Sequence, residues 1–139
     1  MTRTAADIGA GLARPRQPRA IRAGEGIHVV GIGGAGASAA AILAAAAGAR
    51  VSGCDPGGPS PYTVAVEAAG IAPAWQHDPG HTATTPPPDR LAVTKALTAI
   101  AADHPELAAA RAAGIPLEPW HQVVADAAVG RRLVAVGGT

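Results

Sequence analysis

The residues with the most chemical content fall in one short stretch, Gly31-Ile32-Gly33-Gly34-Ala35-Gly36, and in one acid, Asp55, 19 positions after Gly36. The spacing is G-x-G-x-x-G. In this pattern the first glycine allows a tight turn and the second lets the backbone approach a pyrophosphate. The third lets a helix pack closely on a strand. Amides at the start of the helix that follows point at an anion, assisted by the helix dipole. Asp55, at the end of the next strand, offers a carboxylate to ribose hydroxyls. These residues indicate a dinucleotide or a sugar nucleotide and do not choose between the two. A nicotinamide-dependent oxidoreductase domain and a nucleotide-sensing module without catalysis use the same turn and acid.

The remaining polar residues carry less. His77, Asp78 and His81 have H-D-x-x-H spacing, but a proline-rich loop without further ligands does not make a metal site, so none is expected. Cys54 is the only cysteine. It excludes an intramolecular disulfide and reads as a small buried filler. His28 falls within a strand and reads as a core or edge residue. Trp120 reads as packing for its helix, and Glu67 and Glu118 as solvated. No nucleophile, base and acid are arranged for covalent catalysis.

The elements that must position the glycine turn follow from periodicity and punctuation. Gly26 to Val30 is an apolar run that suits a buried strand. Ala35 to Ala47 is the strongest helix on propensity, closed by Gly48. Strand character returns over Ala49 to Cys54, helix over Pro61 to Ala69, and a short strand through Ile71 and Trp75. After a proline loop from Gln76 to Arg90, Leu91 to Thr94 is a further strand. Asp103 and Glu106 have capping-box spacing for a helix reaching Ala113. An extended piece at Ile115 to Leu117, a helix over Pro119 to Ala128 and a strand over Arg132 to Val136 complete the chain. Strands alternating with helices give an α/β fold, a Rossmann-like doubly wound parallel sheet of about five strands.

Length and charge bound what this fold can carry. With 139 residues the chain has one domain. A net charge of +1 argues against a nucleic-acid surface. The apolar run Ala39 to Ala47 is too short to span a membrane. A soluble cytoplasmic domain is expected, with neither nucleic acid nor membrane as partner. Residues 1–25 hold five arginines against Asp7 and Glu25, which reads as a mobile, solvated tail ahead of a nucleotide-binding domain at 26–132.

The segment Ile27-His28-Val29-Val30-Gly31-Ile32-Gly33-Gly34-Ala35-Gly36, followed by Val51-Ser52-Gly53-Cys54-Asp55, resembles the opening of the bacterial Mur ligases. The likeness continues in the H-P-E-L block from His104 to Leu117 and ends in Leu133 to Thr139, similar to the strand and first residues of the family's phosphate loop. Within the family, the branch that joins L-alanine to UDP-N-acetylmuramate is the best match, and the branch that recycles a whole peptide shares this domain. The resemblance implies an N-terminal domain holding the UDP part of the sugar nucleotide. A central ATPase domain and a C-terminal domain would complete the ligase, with ATP and Mg2+ as its cofactors.

Carried over residue by residue, the resemblance places the diphosphate on the amides of Gly33, Gly34, Ala35, Gly36, Ala37 and Ser38, with the Ser38 hydroxyl as a further donor. Asp55 would take a sugar or ribose hydroxyl. Thr94 and Lys95 would face the nucleotide, and His77 would lie near the nucleoside. His104 falls at the family's capping asparagine. Residues 133–139 would open the central domain, with Gly138 and Thr139 as the rim of an ATP phosphate loop. The lysine of that loop would follow Thr139, so the 139 residues alone are expected to bind substrate and not to ligate, needing no cofactor of their own.

Overall fold

A computed structural model describes residues 4–138. Four strands form the sheet: β1 (Gly26–Val30), β2 (Arg50–Cys54), β3 (Arg90–Val93) and β4 (Leu117–Pro119). All pair in parallel in the order β2-β1-β3-β4. The helices are α1 (Ala35–Ala46), α2 (Thr63–Ala68), α3 (Lys95–Ile100), α4 (Pro105–Ala112) and α5 (Trp120–Ala127), with a 3-10 turn at Pro79–Thr82. The sheet is covered on both faces, which the apolar runs of β1 and β3 require.

The alternation along β1 assigns the layers. Ile27 and Val29 face a cluster built from Ala37, Ala40, Ala41 and Ala44 of α1, Val123 of α5 and Val66 of α2. Alanines on α1 bring that helix close to the sheet. Val30 joins the opposite cluster with Leu91 and Val93 of β3, Leu107 and Ala110 of α4, and Leu117. His28 and Cys54 belong to the same face as α4, and both are buried.

Three expectations need correction. The sheet has four strands rather than five. Ile71 to Trp75 contributes a single bridge, Cys54 to Ala74, because Pro73 has no N–H for a ladder. Arg132 to Val136 forms no strand, and Leu133, Val134 and Val136 are exposed. Helix α4 begins after His104, not Asp103. The Glu106 side chain turns inward to histidines instead of closing a capping box.

The largest correction concerns residues 4–25, which are docked on the domain rather than free, although most of them stay exposed. Ala13 donates to the Leu117 carbonyl at 2.7 Å, and Gly9 to Thr98 Oγ1 at 2.7 Å. Arg16 contacts Glu118 at 2.7 Å and Asp126 at 2.6 Å, and Arg19 contacts Glu25 at 2.6 Å. Behind them lies Arg90, fully buried, reaching Glu118, Asp126 and Glu25 at 2.6, 2.5 and 3.0 Å. Glu118 is therefore a buried ion-pair partner and not a solvated residue. The leader arginines neutralise carboxylates that the sheet buries, and this holds the segment along the β4 edge.

Candidate functional site

In this strand order, the chain leaves β1 toward β2 on one side and later returns to β3 on the other. The switch point between β1 and β3 is where doubly wound sheets bind ligands, beyond the carboxyl ends of the strands. A cleft of about 330 Å³ opens there, lined by Val30, Gly31, Gly34, Asp55, His77 and Thr94 among others. Five of the residues expected from the glycine pattern and the family resemblance, Gly31, Gly34, Asp55, His77 and Thr94, thus lie at one place.

The turn is held from below. Gly31 has a φ of 83°, open to glycine at no steric cost. Its amide and that of Ile32 donate to the Cys54 carbonyl at 2.8 and 3.2 Å. Gly33 donates to Asp55 Oδ2 at 2.9 Å, and Gly57 donates to Asp55 Oδ1 at 2.8 Å. Asp55 therefore ties the glycine turn to the loop after β2. Gly34 caps α1 and donates to the Gly31 carbonyl at 3.1 Å. The amides of Ala35, Gly36 and Ala37 occupy the first turn of α1 and have no partner inside the helix. Gly36 has a separate duty, because a Cβ there would run into the Trp120 ring. Trp120 does pack its helix, as expected from the sequence, and does so against this glycine.

Two expected residues face elsewhere. Ser38 is buried, and its hydroxyl donates to the Ala35 carbonyl at 2.9 Å. It occupies the inward face of α1 and reinforces the helix. Lys95 lines a different groove with Gly9, Leu12, Arg14 and Pro119, because the docked N-terminal segment runs alongside it. Thr94 is the N-cap of α3 and lines the cleft. Gly138 is exposed and outside any element, and Thr139 lies outside the described residues.

Beneath the cleft is a polar cluster that sequence reasoning missed. Glu106 Oε1 lies 2.7 Å from His28 Nε2 and 3.1 Å from His81 Nδ1. Cys54 Sγ lies 3.3 Å from Glu106 Oε2 and 3.3 Å from His77 Nδ1. His28 Nδ1 pairs with Ser52 Oγ at 2.8 Å. Burial alone would raise the Glu106 pKa, yet the His28 contact and charge, with Cys54 and His81, bring it to about 2. The Cys54 thiol is pushed up by burial and by the Glu106 charge beside it. His104, stacked edge-on to His77 at 4.2 Å, is held below its ordinary value by burial and by His77. The two histidines of the H-D-x-x-H set were the only signal in the sequence. Their partners come from β1, β2 and α4, which periodicity cannot bring together.

Comparison with known proteins bears on this geometry. Residues 26–132 match the model of the Mur ligase family, catalytic domain. The UDP-N-acetylmuramate–L-alanine ligase of Deinococcus radiodurans is 42% identical over 112 residues, 81% of this chain and 23% of that protein. The ligase of the same name from Gloeobacter violaceus is 40% identical over 118 residues, 84% of this chain and 24% of that protein. Among solved structures, a murein peptide ligase from Psychrobacter arcticus superposes with a TM-score of 0.62 and 25% identity, covering 73% of this chain and 20% of that one. UDP-N-acetylmuramate-alanine ligase MurC from Thermotoga maritima gives 0.59 and 29%, covering 71% and 21%. The chain spans about a quarter of the length of the curated relatives it matches. With a family match that runs from the first strand past the last helix, this chain belongs to the Mur ligase family.

Proposed function

We propose that the cleft holds the UDP part of UDP-N-acetylmuramate, and that the chain acts as the sugar-nucleotide-binding part of an ATP-dependent ligase. That ligase would join L-alanine to the muramyl carboxylate in the cytoplasm during peptidoglycan precursor synthesis. The observation that carries the reading is the convergence of Gly31, Gly34, Asp55, His77 and Thr94 on one cleft at the switch point of the sheet, in a chain 42% identical to such a ligase.

The geometry supports a division of labour. The amides of Ala35 and Gly36 offer hydrogen bonds to the diphosphate. Gly33, already donating to Asp55, holds the turn in shape. Asp55 keeps lone pairs for a ribose or sugar hydroxyl, and His77 and Thr94 line the same cleft. Ser38 and Lys95 take no part in this arrangement. Among the described residues the one lysine, Lys95, lies in the groove next to Gly9, so these residues do not by themselves hold the ATP and Mg2+ that the family implies. The partners that complete ligation would be the ATPase and acceptor-binding domains of the ligase.

Titration calorimetry with UDP-N-acetylmuramate, UDP, NAD and NADP tests the reading. UDP-N-acetylmuramate should bind most tightly and UDP should retain measurable affinity. Tighter binding of NAD or NADP than of either uridine nucleotide would replace it with an oxidoreductase-type site.

A further inference from the structure

We propose that His28, Cys54, His81 and Glu106 form a closed tetrahedral site for one divalent transition-metal ion, Zn2+ by the nature of its donors. The inference is independent of the nucleotide reading. Each residue comes from a different element, namely β1, β2, the 3-10 turn and α4. Their four ligand atoms all lie within 4.8 Å of one another. Three of the side chains are buried and His81 is half-buried.

The donor set is two imidazoles, one thiol and one carboxylate, which suits zinc better than a hard cation such as Mg2+. Bonds of about 2.0–2.3 Å in a tetrahedron space these donors roughly 3.3–3.6 Å apart. Taken to Glu106 Oε1, the Cys54 and His81 separations of 3.5 and 3.1 Å are already near that spacing, and the His28 separation of 2.7 Å has to open slightly. One dication also balances the charge. The Glu106 carboxylate and a Cys54 thiolate together carry two negative charges in a buried place, and the thiol proton leaves to solvent as the metal–sulfur bond forms.

Two details are hard to explain as ordinary core packing. His28 is 2% exposed, and its Nε2 lies 2.7 Å from Glu106 Oε1 without forming an aligned hydrogen bond to it. Its other nitrogen is pinned by Ser52 Oγ at 2.8 Å. Such a bond on the outer nitrogen fixes the ring and frees the inner one, as in histidines that ligate metals. An ion here would also brace the nucleotide cleft, because the Cys54 carbonyl receives the amides of Gly31 and Ile32. All four ligand positions come from protein, so the site would be structural.

The experiment uses the purified 139-residue chain, reduced and stripped of metal with a chelator, and titrated with Co2+ and then Zn2+. One equivalent of Co2+ should produce a thiolate-to-metal charge-transfer band and the intense visible bands of tetrahedral cobalt, and Zn2+ should abolish both. Cys54→Ser should remove the charge-transfer band. His81→Ala, at the rim and tolerable to the fold, should weaken Co2+ at least about tenfold. Ser52→Ala, exposed and outside the ligand set, should weaken it about ten- to hundredfold. Glu67→Gln, on the far surface, should change nothing. Absence of stoichiometric uptake, a charge-transfer band that survives Cys54→Ser, or affinity unchanged in both His81→Ala and Ser52→Ala would overturn the site. The last two variants decide the matter even if Cys54→Ser fails to fold.

Discussion

Gly33 and Gly36 are three residues apart in one motif and are constrained by different neighbours. A Cβ on Gly33 would lie 2.7 Å from Asp55 Oδ2, so Gly33→Ala must push the carboxylate off the turn. The charge-assisted bond it breaks is worth about 1.5–3 kcal/mol, so UDP should bind roughly tenfold weaker or worse by calorimetry, with the fold intact by circular dichroism. A Cβ on Gly36 meets Trp120 ring carbons instead. Gly36→Ala is overpacking and should cost about 1–3 kcal/mol of stability in urea unfolding. UDP affinity unchanged in Gly33→Ala, or reduced equally in both variants, would show that the glycines do not divide these tasks.

Arg90 is buried among three carboxylates, while Arg16 reaches two of them from a side chain that is 31% exposed. Removing a buried partner leaves uncompensated charge, so Arg90→Leu should destabilise by about 3–5 kcal/mol in urea. Arg16→Ala should cost far less, since solvent can replace it.

At the scale of elements, the N-terminal segment and α5 are joined by this charge network, and its acid sensitivity has a definite sign. Hydrogen bonding from Arg19 lowers Glu25 from 4.5 to about 2, against the effect of burial. For Asp126 burial pushes up, but Arg16, the Arg19 amide and Arg90 together bring it from 3.8 to about 2. Carboxylates with depressed folded values stabilise above their unfolded values and lose that contribution as pH falls through the folded ones. Docking of residues 9–22 should therefore be constant above about pH 4.5 and weaken toward about pH 2. The amide signals of Ala13 and Arg16 in a pH titration by NMR report it. Release of the segment on raising the pH from 5 to 7 would contradict the mechanism.

For the whole molecule, binding and turnover should separate. Residues 1–139 should take up UDP-N-acetylmuramate, since the turn, Asp55 and His77 are all within them. They should not release phosphate from ATP with Mg2+, UDP-N-acetylmuramate and L-alanine, because transfer of the γ-phosphoryl group needs a positioned cation clamp. Turnover above background that Gly33→Val abolishes would show that these residues hold an ATP site. Bound sugar nucleotide should also raise the unfolding midpoint, by mass action on the folded state.

Most of the order of strands and helices from Gly26 to Ala127 was legible in the chain because most elements carry their own local pattern. Helix α3 was not read, however, and Ile71 to Trp75, read as a strand, gives only one bridge. Apolar runs mark β1 and β3, alanine propensity marks α1, and glycines close the helices. The glycine turn and Asp55 were legible for the same reason, since a motif within one strand-turn-helix unit needs no distant partner. What only the tertiary structure decided involves pairs far apart in sequence. Arg16 with Asp126, and His28 with Glu106, are invisible to periodicity because an isolated charge reads as solvated until the fold brings its counter-charge. The same holds for orientation. Lys95 follows the cleft-lining Thr94 directly, yet the packing of residues 4–25 against α3 turns it to another face. Burial is a property of neighbours, and the neighbours of Glu118, Cys54 and Arg90 are chosen by the sheet order, not by the residues beside them in the chain.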